Sequence, residues 1–134
     1  TCRQRCRCSL YQCGVMDEWE RCVPWLKAAL EKSGNTHTIW DIWTKISEGN
    51  AQFWPAPTWA AVTQLADYPR RKVLRIWLAG GNMDDLINDG LPLAYEFAQH
   101  HGCDSVEIEA RKGWAKKLKR HGFKQEKILL RKEA

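Results

Sequence analysis

No segment of this chain approaches the roughly 18–20 consecutive apolar residues of a membrane-spanning helix. The basic N-terminal residues precede no apolar stretch of the kind a secretory signal carries. Both absences point to a soluble, cytoplasmic protein with no membrane partner. Low-complexity tracts and internal repeats are also missing, so the 134 residues are expected to form one domain with a modest core. Metal-ligand spacing is absent as well. Four of the six cysteines (Cys2, Cys6, Cys8 and Cys13) crowd into the first fifteen residues, in the order C-x3-C-x-C-x4-C. That spacing fits no common zinc pattern and has no histidine nearby. A disulfide knot would need an oxidising compartment that nothing else in the sequence supports. Thr1–Val15 is therefore expected to be an appended leader, with Met16 as the natural start and a single domain over 16–134.

Charge of one sign is missing from one stretch and nearly missing from the next. Ile76–Ala110 holds seven acids and no Lys or Arg, whereas Arg111–Lys132 holds ten Lys/Arg and one acid, Glu126. A split of this kind either steers an anionic ligand or lines two solvated faces. Phe and Tyr are scarce at three each, against eight tryptophans. Trp buries a large area and keeps one polar handle, so most of the eight belong in the core. Any left on the surface would mark a face for a protein partner.

Periodicity supplies the elements. Trp19, Val23, Leu26 and Leu30 predict a helix over Asp17–Gly34, with Pro24 as a first-turn residue or a bend. Ile39, Ile42, Trp43 and Ile46 predict a second helix over Thr38–Ser47. QFWPAP and TWAAVTQLADYP read as two strands, one at an edge because of Pro55 and Pro57. Lys72–Ala79 is nearly continuous in apolar residues, as a strand buried on both faces should be. Gly80-Gly81-Asn82 breaks it. Met83–His101 is helical, with Met83, Leu86, Ile87, Leu91, Ala94, Tyr95 and Ala98 on one stripe and a kink or second start near Gly90 and Pro92. Asp104–Ala110 alternates as a strand parallel to the one before the helix. Arg111–Gly122 is a short basic helix, and Phe123–Lys132 a last strand.

This order resembles the GNAT N-acetyltransferase fold without its usual first strand. The expected class is α/β (α+β), with two N-terminal helices, a mixed sheet in the order β-β-β-α-β-α-β and a central parallel strand pair. Locally, ARKGWAKKLKRHGF (Ala110–Phe123) is similar to the family's helix ending in Gly-Phe. The Trp-rich texture resembles small GNAT-like proteins of bacteriophages, which implies a phage origin and a place in the host cytoplasm or virion.

The resemblance implies acetyl-CoA as cosubstrate and an N-acetyltransferase acting on a small-molecule or protein amine. In the family the thioester lies where the two parallel strands splay, and its diphosphate rests on a loop of backbone amides. The implied binding residues are Trp77, Leu78, Ala79, Gly80, Gly81, Asn82 and Met83, together with Trp114. Glycines for close approach are present, but the family's loop cation is not, and Asp84 and Asp85 enter the first helical turn. Leu118 stands where the family often has a Tyr as general acid, and Arg111 stands where it commonly has an Asn. Glu107 and Glu109 are candidate bases and His121 a candidate proton donor. The bland alternatives are a solvated strand face for the two glutamates and a dipole partner for the histidine. Two other readings remain: a catalytically inactive GNAT-fold binding or phage accessory protein, and a nucleic-acid-binding accessory using Arg111–Arg131 with Trp114.

Overall fold

Trp19, Cys22, Leu26 and Leu30 recur every three or four residues and are at most 3% exposed, so one stripe of the first helix is core. The computed structural model describes residues 2–109, 112–126, 130 and 132–133, the side chains of 2–15, 112 and 113 excepted. Helix α1 runs over Cys2–Lys32 and passes through Pro24 without ending. The proline takes a donor from the helix, and the carbonyl it would have served, on Glu20, lies on an exposed residue that water can reach. Helix α2 (Ile39–Ser47) starts at a capping box. The Asp41 amide donates to Thr38 Oγ1 (3.2 Å) and the Thr38 amide donates to Asp41 Oδ2 (2.8 Å).

Strands β1 (Gln52–Pro55), β2 (Trp59–Asp67), β3 (Lys72–Gly81) and β4 (Ser105–Ile108) form one sheet in the order β1-β2-β3-β4. The first two pairings are antiparallel and the third is parallel. Pro55 lies on edge strand β1, where a missing donor costs no ladder bond. Helices α1 and α2 pack on one face, burying Ala60, Val62 and Leu78 of the sheet with Ile42. Between β3 and β4 the chain crosses the other face through α3 (Met83–Asp85), a π turn (Leu86–Gly90) and α4 (Leu91–His100). Trp114 and Leu118 of α5 (Lys112–Lys119) complete that layer beside Trp59, Ala61, Leu86 and Ile87.

The structure lengthens some expected elements and re-phases others. Strand β3 includes both glycines, with Gly80 opposite Ala60 and Gly81 opposite Trp59. Strand β4 stops at Ile108. The helix expected after β3, with a kink or second start near Gly90 and Pro92, contains a π turn there, closed by the Leu91 amide on the Leu86 carbonyl. Pro92 follows at once and lacks an amide to continue α-type bonding, which the widened turn accommodates. The extra residue shifts the buried stripe to Leu86, Ile87, Gly90, Ala94 and Ala98, and leaves Tyr95, expected in the core, 57% exposed. Of the expected last strand, Phe123–Glu126 is not in a strand and 127–129 and 131 lie outside the described residues.

Thr63 is a buried polar residue that the sheet satisfies completely. Its hydroxyl donates to Gln52 Oε1 (2.8 Å) and accepts from Trp54 Nε1 (2.9 Å). Burial pushes the Cys22 thiol up, so the folded state holds it protonated, a contribution lost as pH rises through that raised value. Leu26 is fully buried, and Leu26→Ala is expected to cost about 2–5 kcal/mol in urea unfolding. The amide and then the hydroxyl of Thr38 hold the Asp41 carboxyl below its ordinary value. That stabilisation is present above the unfolded carboxylate's range, about 3.9, and is lost as pH falls. Asp41→Asn should therefore lose less Tm than the parent between about pH 6 and pH 3, as followed by circular dichroism.

Candidate functional site

The two parallel strands part company halfway along β3. Their register pairs Val73 with Ser105, Leu74 with Val106, Arg75 with Glu107 and Ile76 with Ile108, and stops. Strand β3 continues to Gly81, paired only with β2 among the described residues. At the point of separation β3 also carries a bulge. Val62 faces Leu78 but the next residue, Thr63, faces Ile76, so Trp77 is the additional residue. From Trp77 to Gly81 the β4-side edge presents main-chain groups with no strand partner among the described residues, which makes it a template for an extended ligand.

The side chains expected to bind a ligand mostly turn away from that edge. Leu78 is 2% exposed in the core under α1, and Trp77 packs beside it, with its ring edge-on to His37 at 4.8 Å between centroids. Ala79 and Met83 pack on the opposite face against the cluster that contains Trp114. Trp114 is itself a core residue at 9% exposure. What the strand end offers a ligand is backbone.

The glycine pair has a structural cause. A Cβ at Gly80 would sit 2.7 Å from the Trp25 carbonyl oxygen of α1. At Gly81 it would sit 2.5 Å from the Thr58 carbonyl oxygen, and φ is +98°. Asn82 then caps the helical run, its side chain accepting from the Asp85 amide at 3.0 Å while its own amide donates to the Thr58 carbonyl at 2.8 Å. The two carboxylates that enter the first helical turn are both engaged. Asp85 Oδ2 accepts from the Thr58 hydroxyl at 2.5 Å, and Asp84 pairs with Lys117 Nζ of α5 at 2.9 Å. Thus a cation absent from the loop's own sequence reaches it from 33 residues away. No local pattern announces that pairing.

Glu107 is half-buried and stands opposite Arg75, a residue that no motif in the sequence marks. Arg75 reaches Glu109 at 3.8 Å, a long and solvent-screened pair. His121 is exposed on the turn after α5, and among the described residues no hydrogen bond engages its ring. The structure therefore brings Arg75, Glu107 and Glu109 together at β4 and shows no contact between them and His121. The Gly-Phe ending of α5 is a Schellman stop. The Phe123 amide reaches the Leu118 carbonyl (3.3 Å), the Gly122 amide reaches that of Lys119 (3.3 Å), and Phe123 and Leu118 share a hydrophobic cluster. A separate cavity of about 20 Å³ lies between Trp59, Thr63, Ile76 and Leu91. Its wall is almost wholly apolar, and the one hydroxyl on it is already bonded to Gln52 and Trp54, so it offers a polar ligand little to recognise.

No known protein-family profile matches the chain, and no curated protein sequence does. Solved structures do. A mutant of TTHA1254 from Thermus thermophilus superposes with a TM-score of 0.55 at 15% identity, over 73% of this chain and 80% of that one. An acetyltransferase of Trypanosoma brucei superposes with a TM-score of 0.54 at 14% identity, over 72% of this chain and 78% of that one. Together with the mixed four-stranded sheet and its parallel pair, these likenesses show a GNAT-like fold. No helix among the described residues is long and apolar enough to cross a membrane. Gly81→Ala is expected to destabilise the protein by more than about 1 kcal/mol, through strain at positive φ plus the clash with Thr58, as measured by urea unfolding.

Proposed function

We propose that the protein is a divergent GNAT-like N-acetyltransferase that takes its acyl group from a CoA thioester and acts on an amine. One observation carries this reading: β3 runs on from Ile76 to Gly81 after its pairing with β4 has ended. An extended pantetheine arm carries two amides, which suit an unpaired strand edge as a further strand does. The residues around the edge fit the arm better than the diphosphate, because Asp84 and Asp85 occupy the first helical turn. Lys117 offsets one of those charges.

In this reading the chain's contribution is positioning along the backbone of β3, with amides aimed at the thioester oxygen. Glu107 takes the proton that the amine must lose before or during attack, directly or through water. Leu118, 2% exposed, supplies no proton at the place where the fold family often has a tyrosine. Protonation of the departing thiolate then falls to solvent or to His121.

A second reading, a GNAT-like binding protein without catalysis, is favoured by that same buried Leu118. Calorimetry with acetyl-CoA, followed by a thiol-release assay with a panel of polyamines, aminoglycosides and lysine peptides, separates the two. Binding with transfer supports the enzyme, and Glu107→Gln should then lower kcat about 10²-fold or more with little change in acetyl-CoA affinity. Binding without transfer to any amine supports the second reading. Calorimetric silence at millimolar ligand would sink the acetyltransferase.

A further inference from the structure

Helix α5 is amphipathic in an unusual sense. Its apolar stripe, Trp114 and Leu118, is consumed by the core, and its described polar side chains, Lys116, Lys117 and Lys119, are all cationic. Residues 112–126 contain six Lys/Arg and one acid, Glu126. Lys117 is neutralised by Asp84. Lys116, Lys119, Arg120 and Lys124 are exposed, and among the described residues none of them makes an ion pair or a side-chain hydrogen bond. Like charges packed this closely on one helix and its following turn repel one another, so the surface gains most from a ligand that carries several anions at once.

We propose that this face of α5 and the turn after it is a contact surface for the phosphate backbone of a nucleic-acid duplex. Lys116, Lys119 and Arg120 stand at i, i+3 and i+4, so they share one helix face over about 6 Å of its axis. Duplex phosphates recur about every 3.4 Å per strand, which lets neighbouring cations each meet one. Sequence-independent binding needs nothing more. Each alternative lacks a part it draws on. Membrane binding by a surface helix draws much of its strength from an inserted apolar face, and here that face is buried, which leaves a lipid surface only the charge. Single-stranded nucleic acid gains its affinity from stacking on exposed aromatics, and Trp114 is 9% exposed. An acidic protein partner would call for an aromatic or aliphatic anchor, and the described side chains of α5 expose none.

The test is fluorescence anisotropy of the full chain against a labelled DNA duplex of about 20 bp, titrated between about 50 and 200 mM salt. The expected result is binding whose log K falls with log salt at a slope of about −3 to −4, for three or four phosphate contacts. The variant carrying Lys116→Gln, Lys119→Gln and Arg120→Gln should keep the parent's circular dichroism and Tm, because all three side chains are exposed. It should lose about tenfold or more in affinity and two to three units of salt slope. Single Lys119→Gln, the gentlest change, should reduce the slope by about one. Acetyl-CoA calorimetry on the triple variant keeps this inference separate from the acetyltransferase reading, on which it does not rest. Three results would overturn it: no binding at about 50 mM salt with protein in the tens of micromolar, equal affinity of parent and triple variant, or tighter binding to a single strand or to phosphatidylserine vesicles than to the duplex.

Discussion

Strand β3 has to satisfy four neighbours at once, and the rest of the structure follows from how it does so. Strand β2 takes one edge along its whole length, β4 takes the first half of the other, α1 lies on one face and α4 on the opposite one. A strand covered in this way cannot alternate between oil and water, so Val73, Leu74, Ile76 and Leu78 are all buried. Near its end the demand becomes one of distance rather than polarity. The α1 backbone at Trp25 comes so close to Gly80, and the backbone at Thr58, just before β2, so close to Gly81, that only glycine fits at either position. The candidate site is therefore what remains when the side chains of the strand end have been committed to packing: a length of main chain with one side unpaired among the described residues.

The acidic run and the basic run, so distinct along the sequence, are joined in space at one place among the described residues. Lys117 crosses from α5 to Asp84 at the first turn beyond β3. With 44% and 71% of the two side chains exposed, the pair contributes about 1 kcal/mol or less. Its importance lies in where it puts a positive charge: at the first helical turn beyond the end of β3, whose β4-side edge has no strand partner among the described residues. The exposed cations of α5 and its following turn face solvent instead.

Much of this architecture is legible in the residues, and the failures have physical causes. Helix α2 can be read because its stripe and its Thr38–Asp41 cap are local. Strand β3 can be read because burial on both faces leaves a continuous apolar run. Gly122-Phe123 is legible as a helix stop, and the geometry shows why so short a motif recurs: it is a Schellman turn with its hydrophobic contact, available to any helix that ends over a core. Tyr95 falls outside the core because a stripe drawn at a constant 3.6 residues per turn cannot anticipate a π turn. The glycine pair looks like a ligand loop in the sequence because the backbones that require it, at Trp25 and Thr58, lie far off along the chain. The same distance hides the partners of Asp84 and Asp85. At the candidate site, sequence locates the strand end but not the bulge, since a bulge is a relation between two strands.

Trp77 on β3 and the π turn at Leu86–Gly90 are each a single supernumerary residue, separated only by the end of that strand and the short α3. Each acts as a phase counter. Without the first, Leu78 and Gly80 would exchange faces with Ala79, and a side chain would meet the α1 backbone where glycine now stands. Without the second, the helix stripe would rotate by about 100° and bring Tyr95 inward. Within this βαβ unit, then, length is as tightly specified as composition: substitutions are absorbed one at a time, whereas the loss of one codon would re-deal every inward and outward position downstream of it.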